Sequence, residues 1–60
     1  MMYEYKELKP YKGYEIQKAY KIDENGKRIG KVVYVVADED DYIGEEYNSV
    51  AEAHRFVDSM

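Results

Sequence analysis

Sixty residues carrying nine Lys/Arg and thirteen Asp/Glu, a formal net charge of −4, allow one small domain. With no cysteine and one histidine, disulfides and a Cys/His zinc site are both excluded. No apolar run approaches the ~20 residues of a membrane span, and residues 1–10 are charged where a signal peptide is apolar, so a cytoplasmic location is expected.

In chain order, residues 1–12 come first, with Tyr3, Tyr5, Leu8 and Tyr11 spaced among charges. They are expected to be an N-terminal flap laid over a sheet, an edge strand, or a loose terminus; Pro10 stops any strand here from continuing as an interior one. Residues 13–60 are expected to form a β-β-β-α domain. Residues 13–22 alternate, with Tyr14, Ile16, Lys18, Tyr20 and Ile22 on one face and Glu15, Gln17, Ala19 and Lys21 on the other. That pattern predicts a half-buried strand at a sheet edge, where Lys18 snorkels or sits at a bulge.

Asn25-Gly26 predicts a type I′ hairpin turn. Residues 31–37 (Lys-Val-Val-Tyr-Val-Val-Ala) follow as a strand whose alternating sets, Val32-Tyr34-Val36 and Val33-Val35-Ala37, are both apolar. It is therefore expected in the middle of the sheet, buried on two sides. Asp38-Glu39-Asp40-Asp41 marks an exposed turn, and Tyr42–Tyr47 a short edge strand with Gly44 at a bulge. Ser49-Val50-Ala51-Glu52 fits a capping box. Val50, Ala53, Val57 and Met60, with Phe56 beside them, form one apolar helical stripe. The expected fold is α+β: a three-stranded antiparallel meander with one C-terminal helix on one face.

A helix of about eleven residues is ~16 Å long and covers one face of such a sheet. The middle strand is apolar on both, so the second face needs another cover: the N-terminal segment, a second copy, or a different protein. A chain this small buries only about 60% of its unfolded surface, which leaves oligomerisation or a wet but adequate monomer core. Eight tyrosines fit a contact surface, because tyrosine joins apolar area to a polar tip. Tyr14, Tyr20, Val32, Tyr34 and Val36 are the expected contacts. Which set meets the helix is open at this point, since a one-residue change of register exchanges them. A non-enzymatic protein-interaction module, self-associating through a tyrosine- and valine-rich sheet face, is the first expectation.

No enzyme, metal or cofactor is expected. His54 sits on the flank of the helix stripe with Asp58 four residues on, and no nucleophile accompanies them. Ser49 is explained as a cap. The acidic turn fails the calcium-loop pattern whether counted from Asp38 or from Glu39, because Tyr42 or Ile43 falls at the fifth position and Ser49 or Val50 at the twelfth.

The basic residues gather earlier. Residues 1–31 hold eight Lys/Arg against five Asp/Glu, while residues 32–60 hold Arg55 against eight Asp/Glu. Asn25-Gly26-Lys27-Arg28, followed by a strand and later by Ser49-Val50-Ala51-Glu52-Ala53, resembles the arm-binding N-terminal domains of tyrosine recombinases. Those small three-stranded, helix-backed domains often read Gly-Lys-Arg at the hairpin and Ser/Thr-x-x-Glu-Ala at the helix start. The resemblance covers residues 13–57 and rests on these two short motifs. It implies a DNA-reading sheet with Lys18, Lys21, Lys27 and Arg28 as contacts, in a family of phage or mobile-element type. The compact size and missing targeting signals suit an accessory protein of a bacterium or a mobile element. DNA affinity rests on neutralising phosphates. In a chain of sequence pI ≈ 4.8 the nucleic-acid reading therefore ranks behind self-association.

Overall fold

A computed structural model of the chain describes residues 2–60; Met1, the first residue of the expected 1–12 segment, lies outside the described residues. The elements run β1 (Met2–Glu7), β2 (Glu15–Ile22), β3 (Arg28–Ala37), β4 (Tyr42–Tyr47) and α1 (Val50–Asp58). The strands form one antiparallel sheet in the order β1-β2-β3-β4. The α+β class and the C-terminal helix agree with expectation, but the meander has four strands where three were expected. The added strand is the N-terminal segment, in its edge-strand form: β1 pairs with β2 along its length, from Met2 opposite Ile22 to Glu7 opposite Gln17. Every residue of β1 is exposed, so backbone pairing rather than burial holds it. As a result β2 lies inside the sheet and not at its edge. No helix among the described residues is long and apolar enough to cross a membrane.

The turns depart from their expected chemistry. At Asn25-Gly26 only the glycine has positive φ, so the turn is not type I′. The amide of Gly26 donates to the Asp23 carbonyl at 3.0 Å, and Asp23 Oδ1 accepts from the amides of Asn25 and Lys27, each at 2.9 Å. Those bonds favour a type I turn with Gly26 closing it, a three-residue hairpin loop. The type I′ geometry occurs instead at Lys12-Gly13, where φ is 50° and 86° and the Tyr11 and Tyr14 backbones exchange hydrogen bonds of 2.9 Å.

Loop length decides which side of β3 faces the helix. A two-residue turn at Asn25-Gly26 would pair Glu24 with Lys27 and bring Ile16 opposite Val35. The three-residue loop pairs Ile22 with Arg28. After a bulge between Ala19 and Lys21, Ile16 then falls opposite Val36. Lys18 precedes this bulge, in regular pairing with Tyr34, so its half-burial reflects a snorkelling stem.

The core therefore lies between the sheet and α1. Ile16, Val36 and Ala53 are fully buried and Val57 nearly so, with Leu8, Tyr11, Tyr14, Tyr34, Ile43, Tyr47 and Phe56 packed around them. The helix begins as expected: Ser49 Oγ accepts from the Glu52 amide at 3.2 Å, and Glu52 Oε2 accepts from the Asn48 amide at 3.0 Å. It ends at Asp58, and Met60 of the expected stripe is 59% exposed. Phe56 reaches β4 because Gly44 leaves room for it. A Cβ at Gly44 would stand 2.8 Å from both the Phe56 ring and the Tyr47 hydroxyl, at a φ of 76°.

Two substitutions separate these effects. Gly13→Ala meets no atom within 4 Å, so it carries only the left-handed backbone penalty, about 1–2 kcal/mol. Gly44→Ala adds overpacking, for a combined loss of about 2–5 kcal/mol. Urea unfolding is expected to rank Gly44→Ala well below Gly13→Ala in stability.

Candidate interaction surface

The register assigns the second face. Tyr5 lies opposite Ala19, and Ala19 opposite Val33. Glu7 lies opposite Gln17, and Gln17 opposite Val35; Tyr42 lies opposite Ala37. Opposed residues point to the same side, so Tyr3, Tyr5, Gln17, Ala19, Lys21, Val33, Val35 and Tyr42 share the face turned away from α1.

Three tyrosines pave this face. The Tyr3 and Tyr5 ring centroids are 6.3 Å apart at 29°, and those of Tyr5 and Tyr42 are 5.8 Å apart at 26°. Tyr5 stands on β1 and Tyr42 on β4, three strand spacings or about 14 Å apart across the sheet and offset along it, since Tyr5 is level with Val33 and Tyr42 with Ala37. Rings this close require both side chains to lean inward across β2 and β3. The Tyr42 hydroxyl donates to Gln17 Oε1 at 2.9 Å, on the far side of β3, which fixes that lean. Ala19, under the row, is only 2% exposed although no helix covers it. The tyrosines themselves stay half open, at 50% for Tyr3 and Tyr5 and 51% for Tyr42. The second cover anticipated for the sheet is thus supplied by its own two edges.

The five expected contact residues lie on the other side. Val36 is fully buried under α1, and Tyr14 and Tyr34 pack against the same core, so these three belong to the helix-covered face. Val32 and Tyr20 are half-buried on that side, beyond the reach of the nine-residue helix. Tyr20 donates to Glu4 Oε1 at 3.0 Å, and the Arg28 guanidinium lies 5.9 Å from its ring. The five share one side of the sheet, as expected, but it is the side on which α1 packs; alternation alone does not say which side the helix takes. Tyr3 and Tyr5, two apart in sequence, and the small Ala19 opposite Tyr5 are the signals that mark the open face.

The four basic residues expected to meet DNA do not share a face. Lys18 points to the helix side, in register with Tyr34, and Arg28 lies beside Tyr20 on that side. Lys21 lies on the tyrosine face, 5.7 Å from the Tyr3 ring, and Lys27 is exposed in the turn.

Charge is uneven along the strands. The hairpin end of β2 and β3 carries Lys21, Lys27 and Arg28 beside Asp23 and Glu24; the other end carries Glu15 and the Asp38–Asp41 turn. Asp38 serves that turn, because its Oδ1 accepts from the amides of Asp40 and Asp41 at 2.9 Å, and those bonds hold its carboxyl below the usual range. Glu15 is held above the usual range by a hydrogen bond to Glu7 and by the charge of that carboxylate.

A cluster pins the β1–β2 connection to the end of α1. The Tyr11 ring stacks on His54 with centroids 3.8 Å apart at 7°. Its hydroxyl donates to the Asp58 carboxylate, 3.0 and 3.1 Å from the two oxygens, and Lys12 forms an ion pair with the same group. Asp58 therefore serves Tyr11 and Lys12, and His54 serves as a stacking surface. The tie also holds Lys12 at a positive φ, uncommon for a residue with a side chain.

The hydrogen bonds from Lys12 first, and then from Tyr11, hold the Asp58 carboxyl below its usual range, while the bond to Asp58 holds Lys12 above the lysine range. The Asp58 contribution is present above the ordinary aspartate value and is lost as pH falls through the lowered one. The Lys12 contribution is present below the ordinary lysine value and is lost as pH rises through the raised one. Both groups are exposed, so the effects are small. Melting temperatures compared between about pH 2 and 7 are expected to fall less on the acid side in Asp58→Asn than in the parent chain. The Asp38 turn titrates alike in both and cancels.

Comparison of the chain with protein-family models, curated proteins and solved structures returned no match.

Proposed function

We propose that the protein is a non-enzymatic interaction module that self-associates through the tyrosine-paved face of its sheet. The observation that carries this reading is the state of that face: three tyrosines half open, aligned across the sheet, above half-buried Val33 and Val35. Ordinary surface positions favour lysine and glutamate, whereas contact surfaces favour tyrosine, whose flat ring loses little entropy on association. The ordered row means that a contacting surface meets rings already in place.

The opposite face offers less. Its core residues are taken up by α1, and beyond the helix Tyr20 and Val32 lie among the charges of Glu4, Lys6, Lys18 and Arg28. Nucleic-acid binding finds weaker support, since the tyrosine face carries Glu7 and Glu15 as well as Lys21.

The face is four strands wide and about six residues long, roughly 400 Å² in plan. A stable interface buries about 800 Å² per partner. The expected association is therefore weak and reversible, with a dissociation constant between about 1 μM and 1 mM. Sedimentation equilibrium over that range is expected to show molar mass rising with concentration. Tyr5→Lys/Tyr42→Lys is expected to stay monomeric, because two charges then stand in the middle of the contact. A parent chain that is monomeric throughout, or a variant that associates equally well, contradicts the proposal.

A further inference from the structure

We infer that the surface meeting the tyrosine face is that of a second copy, laid face to face with its strands running the opposite way, so that Lys21 of each copy meets Glu7 and Glu15 of the other. This inference rests on the self-association reading above and adds the orientation of the two copies.

The argument starts from three side chains on the open face. Lys21 and Glu15 belong to β2 and point the same way, six residues or about 20 Å apart. Glu7, on the neighbouring strand, lies opposite Gln17 and close to Glu15. Among the described residues the ion pair formed is Lys12 with Asp58, so Lys21, Glu7 and Glu15 find no ion-pair partner among them. Lys21 is the positive end of the face. Glu7 and Glu15 are the negative end, where two carboxylates repel each other without a cation to separate them.

Two sheets packed face to face sit about 10 Å apart with their strands nearly aligned. A two-fold axis between them has two simple choices. If it runs along the strands, Lys21 meets Lys21 and the glutamates meet glutamates, and both contacts are repulsive. If it runs across the strands, passing over β2 between Gln17 and Ala19, each Lys21 meets the opposite Glu15, with Glu7 beside it on the next strand. The second choice turns two unsatisfied ends into two attractive contacts and makes the patch self-complementary, as a closed dimer needs. Glu46 borders the depressions beside both Tyr3 and Tyr5, which places it at mid-length on the β4 margin. There the two copies' Glu46 side chains remain in water and are screened.

The charges provide a test separate from the tyrosines. Lys21→Glu and Glu7→Lys/Glu15→Lys alter exposed side chains, and circular dichroism checks that each variant folds. Each variant alone places like charges together and is expected to raise the dissociation constant about tenfold or more. Mixed in equal amounts, the two are expected to associate with each other as tightly as the parent chain does with itself. The orientation is overturned if Lys21→Glu self-associates like the parent, or if it pairs better with the parent than with Glu7→Lys/Glu15→Lys. In both cases the parent still dimerises, and the self-association reading stands. A parent chain that stays monomeric overturns both together.

Discussion

A strand that is apolar above and below needs two covers, and this chain has one helix of nine residues, about 13 Å long, to supply them. The sheet resolves the shortage unequally. On one side α1 lays Ala53, Val57 and Phe56 against Ile16, Val36 and Ile43. On the other, Tyr5 from one edge and Tyr42 from the opposite edge lean across two strands until their rings are 5.8 Å apart. The first cover is a closed core. The second is a thin one, because a ring lying on a sheet shields what is beneath it and still presents its upper side to water. That difference makes one face structural and leaves the other available for contact.

The arrangement depends on details far from the face. A three-residue hairpin loop, held by the Asp23 carboxylate, sets the parity that turns Val36 towards the helix and Val35 away from it. Gly44 leaves the gap through which Phe56 reaches β4, and its positive φ helps bend that strand through an irregular register between Val36 and Tyr34. The β1–β2 connection, tied to α1 through Tyr11, Lys12 and Asp58, keeps β1 in place so that Tyr3 and Tyr5 are held over the sheet. Small residues matter as much as large ones. Ala19 leaves room for Tyr5 to lie down, where a valine would lift the ring.

Much of this was legible in the sequence. Alternation and β-branching located β2 and β3, the acidic turn and Gly44 marked the ends and bend of β4, and Ser49 with Glu52 placed the start of the helix. β1 was less visible because all its residues are exposed, and hydrophobic periodicity reports burial rather than backbone pairing. The site was misassigned because alternation does not say which side the helix takes: Tyr14, Tyr20, Val32, Tyr34 and Val36 share one side, and it is the one on which α1 packs. The turn was misread separately. Asn25-Gly26 is a strong signal for a two-residue turn, but Asp23 offers the backbone competing hydrogen bonds and lengthens the loop by one residue. That single residue brings Val36, and not Val35, to the same face as Ile16. The need for a second cover was visible in the valines; that the cover would come from Tyr3, Tyr5 and Tyr42 depended on β1 being a strand.

The tyrosine row is most directly tested by proton NMR of the dilute protein. Rings lying across the sheet should shift the Ala19 methyl upfield and give cross-relaxation between Tyr5 and Tyr42 ring protons. An Ala19 methyl at its ordinary position, with no contact between those rings, would mean that the second face is bare and that the surface described here does not form.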